Sequence, residues 1–448
     1  MQKKRFYLVS LGCAKNSVDS ESMASLLVQD GYQAVEKPSQ ADVLIVNTCG
    51  FIESARQESY QILANLARRK RPGQYLIAAG CMTERYRQEV TRRVAGIDGL
   101  LGTRRWMDIV DVVHELRASP HLTTLYHLPE TSTVGRDEGG VLRAAVQGGS
   151  AYLKIADGCR RPCAFCAIPL IKGNAVSRPM DTIVAEVLAL EKMGVREVNL
   201  IAQDTTDYGH DLGLKDGLSA LLEALVAVVH DIPWIRILYA YPGYVTDHLI
   251  EVMASHPQIV PYLDIPLQHA HPAVLQRMRR PANMDWVYQT LLKMRTVIPD
   301  LALRTTFIVG YPGETESEFQ TLLDFITEIR FDHVGAFTFS FEPGTASEPL
   351  GDTIPTEVKE ERFQRLMTLQ EKISLENNQA FIGKTMEVLV EGQNEGISVG
   401  RSRRDAPEID GLVIIEGKAP VGEIVPVRIT GALTHDLTGI LAKILSHH

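Results

Sequence analysis

Ala156-Asp-Gly-Cys159-Arg-Arg-Pro-Cys163-Ala-Phe-Cys166 sets three cysteines in a C-x-x-x-C-x-x-C loop directly after an apolar run. The chain has six cysteines, and the other three repeat the arrangement at long range. Phe6-Tyr-Leu-Val-Ser-Leu-Gly-Cys13, Val43-Leu-Ile-Val-Asn-Thr-Cys49 and Tyr75-Leu-Ile-Ala-Ala-Gly-Cys81 each run from an apolar stretch into a thiol. Three thiolates hold three corners of a four-iron, four-sulfur cluster and leave the fourth iron open to a small molecule. Tetrahedral zinc also takes C-x-x-C spacings. It wants a fourth ligand, and no nearby Cys or His presents itself around the loop.

Working outward, the first 130 residues alternate apolar runs with helical patterns, which predicts βαβ units and a parallel sheet. A helix is expected from Asp19 as N-cap to Gly31 as stop, and a second over about 53–71. Cys13, Cys49 and Cys81 are spaced by 36 and 32 residues, about one βα repeat each. In open parallel sheets ligands bind beyond the carboxyl ends of the strands, so thiols at three such ends can converge. Read blandly, each is a small buried apolar residue. That account suffices for one cysteine but strains for three in equivalent places.

A polar, Gly-rich segment at 129–150 marks a boundary. Beyond it six strands are expected at 151–156, 198–202, 235–239, 262–265, 303–309 and 334–339, with helical patterns between them. That is most of a (βα) barrel, whose sites gather at the carboxyl ends of its strands. A long helix over 356–380 leads to short strands at 386–390, 397–400, 411–415 and 424–429, a small closed β-barrel of the oligonucleotide-binding kind. The expected fold class is thus α/β in three parts: a parallel-sheet domain at 1–130, a partial (βα)6 barrel at 145–378 and a small β-barrel at 381–446.

The chain of 448 residues is 45% apolar and 23% charged, and its net charge is −9. No apolar stretch approaches the roughly 20 residues that span a bilayer. The opening Met1-Gln-Lys-Lys-Arg and its apolar run read as a first strand rather than a signal peptide, so a cytoplasmic protein with no membrane association is expected. Six cysteines in such a chain argue against a disulfide framework. Affinity built on phosphate contacts usually brings positive charge. Residues 381–448 instead carry seven Lys and Arg against nine Asp and Glu. The loop Arg403-Arg-Asp405-Ala-Pro-Glu-Ile-Asp410-Gly puts Asp405 and Asp410 forward as contacts for a basic protein substrate, or as acidic surface kept for solubility.

The C-x-x-x-C-x-x-C loop, with Phe165 before its last cysteine, resembles that of the radical S-adenosylmethionine enzymes. The resemblance covers nearly the whole chain. Ser10-Leu-Gly-Cys-Ala-Lys-Asn-Ser-Val-Asp-Ser-Glu21, Asn47-Thr-Cys-Gly-Phe-Ile52 and Ala79-Gly-Cys-Met82 resemble the N-terminal domain of the methylthiotransferases. The stretch from Lys154 to Pro169 and Ser177-Arg-Pro179 resemble their radical domain, and the last barrel sits where they carry a TRAM domain. The residues around Cys13 and the Arg-Pro-Cys-Ala-Phe-Cys core look like the branch that modifies ribosomal protein S-twelve.

The resemblance implies that Cys159, Cys163 and Cys166 hold a radical-generating 4Fe–4S cluster whose open iron binds S-adenosylmethionine, with Phe165 beside it. It implies that Cys13, Cys49 and Cys81 hold an auxiliary 4Fe–4S cluster on which a sulfur is methylated. One S-adenosylmethionine would give the methyl group and a second the radical that opens the β-carbon of a substrate aspartate. A sulfur donor and an electron donor such as flavodoxin or ferredoxin are implied as partners. Gln203 and Asp204, after a strand, resemble positions that hold the amino group and ribose of S-adenosylmethionine. As residues alone they equally suit a strand–helix turn. In Leu303-Arg304-Thr-Thr-Phe-Ile-Val-Gly310-Tyr-Pro-Gly313-Glu314, Gly310 and Gly313 would let backbone approach a ligand and Arg304 would pair with a carboxylate. The plainer reading is a tight turn with Glu314 capping the next helix. His269 and His271 read first as satisfied hydrogen-bonding residues. Two rivals stand beside the main reading. One is a methylthiotransferase of isopentenyladenosine in transfer RNA. The other is a non-catalytic iron–sulfur module that binds ribosomes.

Overall fold

The computed structural model describes residues 4–119, 124–129 and 140–442. Its chain divides into two compact units, one of residues 1–145, 152–161 and 166–179 and one of the rest. Of the Gly-rich boundary expected at 129–150, residues 130–139 lie outside the described residues, and 144–147 form a strand.

In the first unit the apolar runs become a six-stranded parallel sheet. Its strands stand in the order Gln33–Ala34, Arg5–Ser10, Val43–Thr48, Tyr75–Gly80, Gly99–Gly102 and Leu125–His127. All six residues of Val43–Thr48 are buried, which is why that strand reads as an unbroken apolar run and not an alternating one. Val43 and Ile45 pack on one face with Met23 and Leu27; Leu44 and Val46 pack on the other with Leu63 and Leu76. Each such fully buried side chain contributes about 1.5–3 kcal/mol.

The first helix departs from expectation. It runs Ala14–Gln29, starts straight after Cys13 and carries Asp19 in its interior, 1% exposed. Asp19 is no N-cap, because its carboxylate is engaged by Lys154, Arg143 and Lys172. Gly31 does follow the helix end, at φ +86°. The second helix, Glu53–Arg69, stands where it was expected.

All six expected strands of the next part form, as Ser150–Lys154, Glu197–Ile201, Trp234–Ile237, Ile259–Asp264, Ala302–Val309 and His333–Thr338. The last five are parallel neighbours in chain order. A strand missed in the sequence, Ala144–Gln147, closes the edge of this seven-stranded sheet. The helix Thr356–Gln379 leads to a closed barrel of Thr385–Asn394, Ile397–Ser402, Val413–Glu416, Leu437–Leu441 and Ile424–Ala432. Leu437–Leu441 was also missed, being short and broken by Gly439. No described helix is long and apolar enough to cross a membrane.

Candidate active site

Cys49 and Cys81 directly follow the strands Val43–Thr48 and Tyr75–Gly80, and Cys13 follows Arg5–Ser10 by three residues. The strands end in step, with Ser10 opposite Asn47 and Thr48 opposite Gly80. Backbone contacts then bring the three loops together. A Cβ on Gly12, at φ +91°, would stand 2.9 Å from the Cys49 Cβ, and one on Gly50 would stand 2.7 Å from the Met82 Cα. Only glycine permits these approaches. Asn16 ties the set from behind. Its Nδ2 donates to the Leu11 carbonyl at 2.8 Å and the Thr48 carbonyl at 3.1 Å, and the Cys81 thiol reaches its Oδ1 at 3.8 Å. Asn47 donates in turn to the Asn16 carbonyl and the Ser20 hydroxyl, both at 2.9 Å. Neither asparagine was singled out as structural in the sequence, although both flank a cysteine.

Burial pushes the Cys49 thiol up and carries Cys81 up to about 12, with neighbouring thiols adding to the rise. A group that binds here as thiolate ligands must therefore displace protons and supply positive charge. A ferric–ferrous cluster does both. Among the described residues no three Cys, His, Asp or Glu side chains gather tightly enough for a single metal ion. Three thiols are the ligand number of a cubane that keeps one iron open.

The loop from Cys159 to Cys166 contributes to both units. In the first, Cys159 N–H donates to the Gly173 carbonyl at 3.0 Å, and the Arg161 and Ile168 amides point at the sulfurs of Cys159 and Cys166 at 3.4 and 3.5 Å. In the second, Arg280 Nη1 donates to the Cys163 sulfur at 3.5 Å, and the Cys163 thiol faces the Tyr241 hydroxyl at 4.0 Å. Arg280 also lies 4.2 Å over the Tyr241 ring. Amides and a guanidinium aimed at sulfur favour thiolate, as cluster ligation requires. Arg280 and Tyr241 were not found in the sequence, since nothing in their spacing links them to a cysteine more than seventy residues away.

Phe165 packs with the buried set Val274, Met278, Tyr311 and Phe339. Gln203 follows the strand Glu197–Ile201, and its Oε1 is buried without a hydrogen-bond partner. An orphaned buried acceptor is costly unless a ligand donates to it, so Gln203 fits a cofactor amino group. Asp204 is already occupied in part, its Oδ1 accepting from Thr206 N at 3.0 Å and Oγ1 at 2.5 Å. Tyr239 and Gln268, beyond two strand ends, hold left-handed backbone at φ +64° and +74°. Such strain in non-glycine residues collects at functional sites.

Three family profiles match the chain: an uncharacterized protein family, UPF0004, over 5–102, the radical SAM superfamily over 153–326 and the TRAM domain over 382–441. A ribosomal protein uS12 methylthiotransferase RimO of Chloroflexus aurantiacus is 48% identical, covering 97% of this chain and 99% of that one. One of Synechocystis is 44% identical over 97% and 96%. The chain belongs to the RimO family. A radical S-adenosylmethionine methyltransferase, TsrM of Kitasatospora setae, shares its fold, with a TM-score of 0.57 at 12% identity over 88% of this chain and 79% of that one.

Four expectations change in this RimO-family chain. Asp405 and Asp410 are not offered to a substrate. The Asp410 side chain is 1% exposed; it accepts from Tyr262 at 2.6 Å and Arg304 at 3.2 Å, with His333 alongside. Asp405 is buried on Ser402, 2.6 Å away. The acidic loop turns inward because buried cations await it. Arg304 sits near the start of its strand, consumed by Asp264 and Asp410, so it has no fork left for a cofactor carboxylate. Gly310 is explained by packing: a Cβ there would stand 2.4 Å from Lys359 Cγ. Gly313 forms the following turn at φ +75°. Glu314 does not cap the next helix. Thr315 does, in a capping box with Glu318, while Glu314 takes the Gly310 amide at 3.0 Å and Arg362 at 2.7 Å. His271 caps its own helix through the Ala273 amide, as the plainer reading expected.

The same RimO-family barrel is bolted to the sheet by Glu197, whose carboxylate takes Arg401 Nη2 at 2.5 Å and Arg236 Nε at 2.9 Å, all three side chains within 1% of full burial. Burial alone would raise the Glu197 pKa, but the two guanidinium groups hold it at about 2. Arg401→Met should cost about 3–5 kcal/mol in urea unfolding at pH 7, since it removes one of the two cations that balance a buried carboxylate. A depressed carboxylate pKa stabilises above the unfolded value of about 4.3 and loses that contribution as pH falls toward 2. The gap between wild type and variant should therefore narrow over that window. A gap that stays constant with pH would rule out Glu197 as its source.

Proposed function

We infer that this protein is a methylthiotransferase that adds a methylthio group to the β-carbon of an aspartyl residue in ribosomal protein uS12. What supports the reading most is the full-length similarity to uS12 methylthiotransferases, at 43–48% identity, in a chain that keeps both sets of three thiols. Cys159, Cys163 and Cys166 would hold one four-iron cluster, and Cys13, Cys49 and Cys81 the other. When bound, the first cluster with S-adenosylmethionine supplies a 5′-deoxyadenosyl radical, and the second supplies a site for the sulfur that is methylated. The chain's own residues bind and shield. Gln203 would accept from the amino group of S-adenosylmethionine at its orphaned Oε1. Phe165 and its apolar neighbours would keep water from the radical. Arg280 favours the thiolate of Cys163. The net charge of −9 suits a basic ribosomal protein better than a polyanion. A sulfur donor, a low-potential electron donor such as flavodoxin or ferredoxin, and a cytoplasmic setting complete the proposal.

The test is an anaerobic competition. Cluster-reconstituted protein, reductant and S-adenosylmethionine are offered uS12 and isopentenylated transfer RNA together, and both are read by mass spectrometry. A methylthio increment on an aspartate of uS12 is expected. An increment on the nucleoside alone would transfer the assignment to RNA, and no cleavage of S-adenosylmethionine would leave only a binding module.

A further inference from the structure

Within the first unit five charged side chains meet in the interior. Asp19 Oδ1 takes Arg143 at 2.6 Å and Lys154 at 2.5 Å, while its Oδ2 takes Lys172 at 3.1 Å. Asp157 takes Lys154 at 3.0 Å and Lys172 at 3.1 Å through its two oxygens. None of the five side chains is more than 4% exposed. The reading of the site leaves this cluster unused, yet its members border both cysteine sets. Asp19 lies on the helix that starts at Cys13, Asp157 two residues before Cys159, and Lys172 six after Cys166.

Two observations turn the cluster toward Cys81. The short helix Ile168–Lys172 packs against it, with Cys81, Ala167 and Ile171 forming one buried group. Lys172 is also the strongest source of positive field on the Cys81 thiol, and Cys81 acts reciprocally on Lys172. Among the five, three cations face two carboxylates, leaving one net positive charge. A 4Fe–4S core of charge +2 held by three thiolates has one net negative charge. The two charges are complementary, and burial keeps water and salt from screening them.

The geometry points to Lys172 as a positioning residue for the auxiliary site: its ammonium, fixed by Asp19 and Asp157, provides the buried counter-charge for the group held by Cys13, Cys49 and Cys81 and raises that group's reduction potential. The inference rests on the assignment of those cysteines as cluster ligands. A positive charge nearby stabilises the more negative, reduced state, so its removal makes reduction harder. Through the same two carboxylates the lysine also fixes the helix after Cys13 relative to the strand before Cys159.

The test is an electrochemical titration of full-length, reconstituted protein, followed by electron paramagnetic resonance. Cys163→Ala is placed in the background so that only the auxiliary signal is read. Lys172→Met should shift the midpoint to more negative potential with iron content unchanged, and Lys172→Arg should return it close to the starting value. If Lys172→Met does not load iron, Lys172→Gln keeps a donor for the carboxylates without the charge and carries the same expectation. An unchanged midpoint in a loaded Met or Gln variant overturns the proposal alone. An absent signal in the Cys163→Ala background overturns the cysteine assignment and the proposal with it.

Discussion

Cys163→Ala protein should leave S-adenosylmethionine intact: under reductant, 5′-deoxyadenosine should fall to the level seen without reductant. Two remaining thiolates do not hold a cubane that must keep one iron open for the cofactor. Bound iron should drop by about half, because the set of Cys13, Cys49 and Cys81 is untouched. The loss will not be a folding defect. The adjacent Ala164 is fixed through its backbone, donating to Met278 O at 2.9 Å and accepting from Ser347 N at 2.8 Å. Arg280 keeps its bond to the Pro266 carbonyl. The measurement pairs chromatography of the nucleoside with iron analysis and a thermal melt. Nucleoside release at the wild-type rate, with a normal melt, would remove the loop from the radical step.

Cys49→Ala should give the opposite partition. Radical formation should persist, with 5′-deoxyadenosine released at a rate close to wild type, while methylthio transfer to uS12 disappears. The strand end survives the substitution because its backbone does not depend on the thiol. Cys49 N–H donates to the Ser59 hydroxyl at 3.1 Å, and that hydroxyl lies 3.2 Å from the Cys49 carbonyl. Alanine keeps the Cβ that would stand 2.9 Å from a Cβ on Gly12, so glycine is still required there. Mass spectrometry of uS12 and assay of the nucleoside in one reaction separate the two outcomes. Unchanged methylthiolation would deprive the auxiliary set of its role. Together the two variants split the reaction into a step that needs one set of thiols and a step that needs both.

Much of this was legible in the chain because the decisive signals were local. An apolar run followed by a cysteine marks a strand and its end at once, as at Cys13, Cys49 and Cys81. What escaped depended on partners distant in sequence. Asp19 looked like a helix cap because Ser and Asp favour such places. Only the meeting of Arg143, Lys154 and Lys172, more than a hundred residues on, makes its burial tolerable. Asp405 and Asp410 looked like surface charge for the converse reason. Their cations, Arg304 among them, lie on strands whose register no local pattern reveals. Charge is easily counted along a chain, but whether it faces solvent is decided in three dimensions. The edge strand Ala144–Gln147 and the barrel strand Leu437–Leu441 were lost to shortness.

The buried contact of Glu197 with Arg236 and Arg401 has an evolutionary corollary. Small barrels of this kind are often pictured as detachable modules that lineages exchange to acquire new targets. Here an exchange that loses Arg401 would leave Arg236 alone to balance the buried charge of Glu197. Descent should therefore transmit the sheet and its terminal barrel as a linked pair, and new specificity should arise by drift on the barrel's outer loops rather than by replacement of the whole.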